Sequence, residues 1–434
     1  MGRAVTPIIQ LGLGLAIVLF GIGIVFDRRL KKKRLAMLTT TGAETPPSLY
    51  PRINAAACIC SGNCVSVCPE KEVLVMIGGR PRLVQPAACV GHADCLRSCP
   101  THAIELVLGS PERGVEVPTT DGRFQTTVPG LYVAGEVTGI GLIHNALGQG
   151  RQAAKFALDS KPAPGTFDTD VVIVGAGPAG LGAALEARNR RARYRLFEKS
   201  TLGGAVRSYP RQKIVMTAPF DLPGFGKMKL RRTSKEALVE MFEQIVRYAE
   251  LDVTEHAPVL AVRRLASGFE VETARGTVTT PRVVLAIGRR GSPRKLGVPG
   301  DDLAHVAYDL ADPEQHAQES IVVVGGGDSA VEVALALALA RAKVTLVHRG
   351  SDFGRTKPEN RRAIEAARAK GDLTVELRAQ IARVAPLHVE LRDGKTIVAS
   401  RVICALGAEL PAEWLRGIGI ELRELRGEPL VRAS

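Results

Sequence analysis

Apolar positions along this chain fall into distinct patterns. Residues 7–26 (PIIQLGLGLAIVLFGIGIVF) are almost unbrokenly hydrophobic, with Gln10 the only strongly polar side chain. About 20 residues at ~1.5 Å each reach roughly 30 Å, the thickness of a bilayer core. Residues 73–77 and 82–84 are short β-type runs on either side of Gly78-Gly79, which predicts a hairpin, and 103–108 predicts a closing strand. After residue 168 the pattern changes. A short apolar strand, a glycine turn and an Ala/Leu-rich helix occur at 170–190 and again at 320–340. Val171–Val174 is four β-branched residues in a row, as in a parallel strand buried on both faces. This alternation predicts an α/β protein.

Charge refines the picture. The formal net charge is +14, but part of it is local. Arg28, Arg29, Lys31, Lys32, Lys33 and Arg34 follow the apolar run, whereas only Arg3 precedes it. The positive-inside rule then predicts a single-pass membrane protein with a short outer N-terminus, lipid around residues 7–26 and cytoplasmic domains after them. A second block, five arginines between Arg188 and Arg195, reads as a solvated surface, with a docking face for an acidic carrier as the weaker alternative. Aromatics make up 4% of residues and do not interleave with the basic blocks, so no nucleic-acid-binding motif is present.

Seven of the 8 cysteines lie in two runs, each ending in Cys-Pro. The first is Cys58-Ile-Cys60-Ser-Gly-Asn-Cys64-Val-Ser-Val-Cys68-Pro69 and the second is Cys89-Val-Gly-His92-Ala-Asp-Cys95-Leu-Arg-Ser-Cys99-Pro100. The pattern C-x-x-C-x-x-C-x-x-x-C-P wraps an iron–sulfur cube, with the last cysteine reaching the other cluster. Crossing ligation assigns Cys58, Cys60, Cys64 and Cys99 to one cluster, and Cys89, Cys95, Cys68 and His92 to the second. Both runs depart from the pattern, because Ser61 and His92 stand where the second cysteine belongs and Cys60 sits one place early. One or two 4Fe-4S clusters are expected, one of them 3Fe-4S if His92 does not ligate. Zinc is the alternative. Residues 53–108 resemble a bacterial two-cluster ferredoxin. Cluster thiolates suit a reducing compartment.

The glycine turns carry a second chemistry. In the first, Gly175-x-Gly177-x-x-Gly180 follows a strand and opens a helix, and Glu198 closes the next strand about 20 residues on. This arrangement cradles a pyrophosphate on backbone N–H groups and places a carboxylate on a ribose. In the second, Gly325-x-Gly327-x-x-Ala330 is followed by His348 and Arg349 at the end of the next strand, with Arg355 and Lys357 just beyond. Cations there attract a 2′-phosphate, so NADP is favoured over NAD.

Together with GLYVAGEV at 130–137, these units resemble the thioredoxin-reductase-like flavoproteins over nearly all of residues 111–434. The resemblance implies two Rossmann-like domains, one for FAD and one for NAD(P). Gly175, Gly177, Gly180 and Glu198 match the FAD adenosine half, and Gly203 and Gly204 match the loop beneath the flavin. Gly325, Gly327, Asp328, Ser329, Ala330, His348 and Arg349 match the NADPH side. The family's late segment corresponds to Thr127-Val-Pro129-Gly130-Leu-Tyr132-Val-Ala-Gly135-Glu136, with Glu136 in place of the Asp that contacts the ribityl chain. His144-Asn145-Ala146 follows, opening a helix toward the flavin's pyrimidine edge.

Two departures stand out. The late segment precedes the first glycine turn instead of ending the chain, which implies a circular permutation. The NADPH region has no redox C-x-x-C, and Cys404 reads as a core residue. The resemblance is therefore to the thiol-free, ferredoxin–NADP-reductase-like branch, with no side-chain acid or base required. The expected organisation is a membrane anchor (1–34), linker (35–52), ferredoxin-like domain (53–108), displaced end of the FAD domain (111–160), FAD domain (168–292), NAD(P) domain (293–408) and return to the FAD domain (409–434). The expected function is a membrane-tethered NAD(P)H oxidoreductase passing electrons through FAD and 4Fe-4S clusters to a ferredoxin or a membrane redox partner. A low-molecular-weight disulfide reductase and a redox-sensing or structural subunit are the alternatives. Oligomeric state, a homodimer included, stays open.

Overall fold

The computed structural model describes residues 49–429 except 71–72, 112–113, 212, 223, 231, 290–292, 311 and 355, together with Ile22 and Arg29. Two compact units emerge: 51–89 and 93–105 with Ile22 and Arg29, and the remaining described residues, 90–92 included.

The smaller unit is built on a repeated loop. Helix α1 (Asn63–Ser66) and helix α2 (Asp94–Arg97) are each a single turn. Each is entered through a left-handed residue, Gly62 (φ 77°) and Ala93 (φ 68°). Each buries the cysteine at its second position, Cys64 and Cys95. A hairpin of β1 (Leu74–Ile77) and β2 (Arg80–Leu83) pairs antiparallel around Gly78-Gly79. Val73, Leu74, Ala88 and Ile104 pack with the buried cysteines into a small core.

The larger unit holds two parallel sheets. In the first, β3 (Leu131–Val133), β4 (Val171–Val174), β5 (Tyr194–Phe197), β6 (Val253–Thr254) and β7 (Val283–Leu285) run in the order β6-β5-β4-β7-β3. Helices α3 (Ile143–Asp159), α4 (Pro178–Asn189) and α5 (Lys235–Tyr248) accompany it. In the second, β8 (Val306–Ala307), β9 (Ser320–Val324), β10 (Lys343–His348), β11 (Thr374–Leu377) and β12 (Arg401–Cys404) run in the order β8-β12-β9-β10-β11, with α6 (Asp328–Leu339) and α7 (Pro358–Lys370). Every pairing in both sheets is parallel, and the inner strands β4 and β7 are apolar and buried along their whole length.

Strand β3 and helix α3 precede β4 in the chain yet complete its sheet. Close backbone contact holds them there. A Cβ on Gly150 of α3 would stand 1.8 Å from the Ala179 carbonyl of α4, and one on Gly182 of α4 would stand 2.1 Å from the Leu147 carbonyl of α3. Only glycine permits helices to approach that closely. Arg282, just before β7, ties the two segments together: it donates to the Ser160 carbonyl and hydroxyl after α3 and to the Asp170 carbonyl before β4.

The expectation of a single-pass membrane protein is corrected. Among the described residues no helix is long and apolar enough to cross a membrane. Helix α3, at 17 residues, reaches about 25 Å and carries Arg151, Lys155 and Asp159. Residues 7–26, on which the expectation and its lipid contact rested, lie outside the described residues apart from Ile22.

Four of the five arginines in the block are ion-paired at the surface. Arg188 meets Glu250 (2.7 Å), Arg190 meets Asp159 (2.6 Å) and Glu186 (2.7 Å), Arg193 meets Asp170 (2.8 Å), and Arg195 meets Asp252 (3.1 Å). These carboxylates neutralise the charge that an acidic carrier would need.

Candidate active site

Both glycine turns sit at the carboxyl ends of parallel strands, where α/β sheets bind ligands. In the first, Gly175 (φ 100°) has no room for a side chain, since a Cβ would meet the Ala286 carbonyl at 2.6 Å. A Cβ on Gly180 would meet the Gly175 carbonyl at 1.7 Å. Gly177 differs, with nothing within 4 Å of where its Cβ would be. It is also the N-cap of α4, which no side chain caps. An open cradle before unclaimed helix N–H groups suits a pyrophosphate. Glu198, buried at the end of β5, accepts from the N–H of Ala176 (2.7 Å) and of Ser200 (3.0 Å). Gly203 donates to the Ala176 carbonyl (3.0 Å), and a Cβ on Gly204 would lie 3.3 Å from Gly177. The predicted residues of this turn are therefore neighbours.

The late segment reaches the same end of the sheet. Gly135 follows β3 with φ 84°, and a Cβ there would strike Ala179 of α4 at 2.8 Å. Its N–H is received by the Gln149 side chain of α3 (2.8 Å), which also accepts from Thr138 (3.2 Å). Gln149 was not legible as a site residue, because a helical glutamine carries no signal of its partner. Glu136 is partly exposed beside Gly141 and Gly288, whose Cβ positions would lie 3.7 and 3.9 Å from its carboxylate oxygens. Asn145 and Ala146 lie in the first turn of α3, whose N-cap, Leu142, offers no side-chain acceptor.

The second turn repeats the first. A Cβ on Gly325 would meet the Ala405 carbonyl at 2.5 Å, whereas the Gly327 position is empty for 4 Å, and Gly327 N-caps α6 without a side-chain partner. Ala330 is buried. Ser329 follows Asp328 in the first turn of α6. Asp328 accepts from the Lys357 N–H (2.9 Å) and the Asn360 amide (2.6 Å), anchoring the start of α7. His348 is buried inside the loop after β10. Its Nε2 donates to the Asp352 carbonyl (3.0 Å), and its ring stacks on Phe353 at 5.3 Å. That ring would stand 1.9 Å from a Cβ on Gly326 and 2.5 Å from one on Gly350. Arg349, by contrast, is exposed. Arg355 lies outside the described residues.

The cysteines of the smaller unit gather across the two runs. Cys58, Cys60, Cys64 and Cys99 line one small hollow with Ile53 and Pro81. Burial pushes the Cys64 thiol up, and the nearby Cys58 and Cys99 sulfurs add to it. Burial likewise raises Cys95 to about 12, with Cys89 and Cys68 contributing. No described cysteine is in a disulfide. Among the described residues no three His, Cys, Asp or Glu side chains converge closely enough to hold a single metal ion. His92 is buried, and its ring stacks on His144 at 6.4 Å. Cys404 is buried in β12, and burial lifts its thiol to about 12.

Residues 172–433 match the model of the pyridine nucleotide-disulphide oxidoreductases. The chain belongs to that family. A ferredoxin–NADP reductase of Ignicoccus hospitalis is 30% identical over 261 residues, 58% of this chain and 82% of the relative. The bacilliredoxin reductase Bdr of Bacillus subtilis is 26% identical over 267 residues, 59% of this chain and 82% of its own. The solved bacillithiol disulfide reductase Bdr of Staphylococcus aureus shares the fold, with a TM-score of 0.53 at 24% identity, covering 58% of this chain and 80% of that one. This oxidoreductase is an FAD-dependent NAD(P)H enzyme. Its two open glycine cradles fit the two dinucleotides. Bound there, nicotinamide and flavin supply hydride chemistry, while the protein contributes position and electrostatics.

Proposed function

We propose that this enzyme moves electrons between NADPH, FAD and iron–sulfur clusters held by the cysteine unit, with a ferredoxin-like carrier as its partner. The hollow that gathers Cys58, Cys60 and Cys64 with Cys99, from the opposite run, carries this reading. That is the grouping crossing ligation requires. The companion set is Cys89, Cys95 and Cys68. Zinc needs its donors about 2.3 Å from one ion, and among the described residues no three converge to that degree. A cluster spreads its thiolates over several irons. The absence of a second thiol near Cys404 leaves no dithiol in the NAD(P) region. FAD exchanges electrons in pairs or singly and so joins a hydride donor to one-electron centres.

The reductase is read as circularly permuted, with residues 111–160 forming the displaced end of the FAD domain. The glycine-on-carbonyl packing of α3 against α4 supports this. Exposed Arg349 supports NADPH as the nicotinamide. The name of one curated relative, a bacilliredoxin reductase, supports a second reading, a low-molecular-weight disulfide reductase.

Anaerobic purification with iron and acid-labile sulfide assays, followed by NADPH addition, separates the readings. Bleaching of both flavin and cluster absorption without any thiol substrate is expected. A protein that carries flavin but no iron, and oxidises NADPH only with a disulfide present, sinks the first reading.

A further inference from the structure

The half-buried side chain of Arg289 is not used by any role assigned above. It follows Gly288, just beyond the carboxyl end of β7, at the end of the sheet that carries the first glycine turn. One of its terminal nitrogens donates to the backbone carbonyl of Glu116. Its Nε–H is buried, with no hydrogen-bond partner among the described residues. A buried, charged donor left without an acceptor is costly, so the position calls for an occupant.

The surroundings identify that occupant. Burial holds the guanidinium below the usual arginine value, while the nearby carboxylates of Glu136 and Glu116 favour its charged form. Glu136 stands at the position where the family resemblance puts an aspartate against the ribityl chain. Its carboxylate lies beside Gly288, the immediate neighbour of Arg289. Glutamate is one methylene longer than aspartate, so its charge sits farther from its backbone and needs a local counter-charge. A cation and a carboxylate so placed offer both a donor and an acceptor, the complement of a polyol chain with its phosphate.

We propose that Arg289 is a flavin-site residue that positions Glu136 and directs its Nε–H to an oxygen of the bound FAD. It acts on cofactor affinity and on the flavin's potential, because a buried positive charge favours the reduced, more negative cofactor. Electron transfer to clusters is not required.

The test uses the full chain, stripped of flavin and retitrated with FAD by fluorescence, in parallel with wild type. Arg289→Gln is expected to weaken FAD binding about tenfold or more and to lower the flavin midpoint potential. Arg289→Lys keeps the charge and loses the Nε donor, so it should weaken binding less and leave the potential nearer wild type. The double variant with Glu136→Gln should lose less affinity than the two single losses combined. Unchanged FAD affinity in Arg289→Gln, with only the apoprotein's thermal midpoint lowered, assigns Arg289 a structural role and overturns the proposal. If Arg289→Gln does not fold, unchanged affinity in Arg289→Lys does the same. Wild-type chain that binds no FAD would instead refute the flavin assignment itself.

Discussion

The carboxylate of Glu198, at the end of β5, accepts a hydrogen bond from the backbone N–H of Ala176 at 2.7 Å. One carboxyl oxygen thereby holds the middle of the first glycine turn, and the other holds Ser200. A charge-assisted bond of this kind is worth about 1.5–3 kcal/mol. Glu198→Ala should weaken FAD binding by roughly tenfold or more, measured by flavin titration of the apoprotein, whereas Glu198→Gln should retain more of it.

Gly177 and Gly180 are three residues apart but serve different ends. A side chain at 177 meets open space, and one at 180 meets a carbonyl at 1.7 Å. Gly177→Val should fold normally by circular dichroism yet purify without yellow colour. Gly180→Val should fail to accumulate as folded protein. Full flavin content in Gly177→Val refutes the cradle.

Arg282→Ala should destabilise the protein by about 2–3 kcal/mol, because it strips partners from buried carbonyls. The side chain reaches both the end of α3 and the residue before β4. Denaturant melts provide the measure, and a shift within about 0.5 kcal/mol would show that the join does not depend on it.

Arg349 is exposed after β10, while His348 is sealed in the loop against Gly326 and Gly350. Arg349→Ala should raise KM for NADPH severalfold and leave NADH little changed. His348→Asn should impair both nicotinamides alike, through loop disorder. An NADPH-selective loss in His348→Asn would instead make the histidine a phosphate contact.

Burial raises the Cys404 thiol from 9.0 to about 12. The folded state prefers the protonated form, so its stabilising share is intact below pH 9.0 and declines as pH climbs toward 12. At pH 8 roughly one molecule in ten thousand carries the thiolate. Iodoacetamide at pH 8 should spare Cys404 in the native protein and label it after unfolding, read by peptide mass.

Element types and both glycine turns were legible in the amino-acid order, because they depend on neighbours within a few residues. β-Branched runs such as Val171–Val174 make buried strands, and glycines three apart make a cradle before a helix. Cysteine spacing likewise named the thiols that belong to one loop. The spacing also grouped Cys99 with Cys58 through crossing ligation, whereas the edge position of β3 beside β7 and the docking of α3 on α4 were decided by tertiary structure alone. So were the contacts of Arg282, the sealing of His348 and the ion pairs of Arg188, Arg190, Arg193 and Arg195. Each depends on partners brought together by burial and hydrogen bonding rather than by local order. Arg282 and Ser160 are 122 positions apart. Local order specifies what a residue can do, and the packing of distant segments selects which of those capacities it uses.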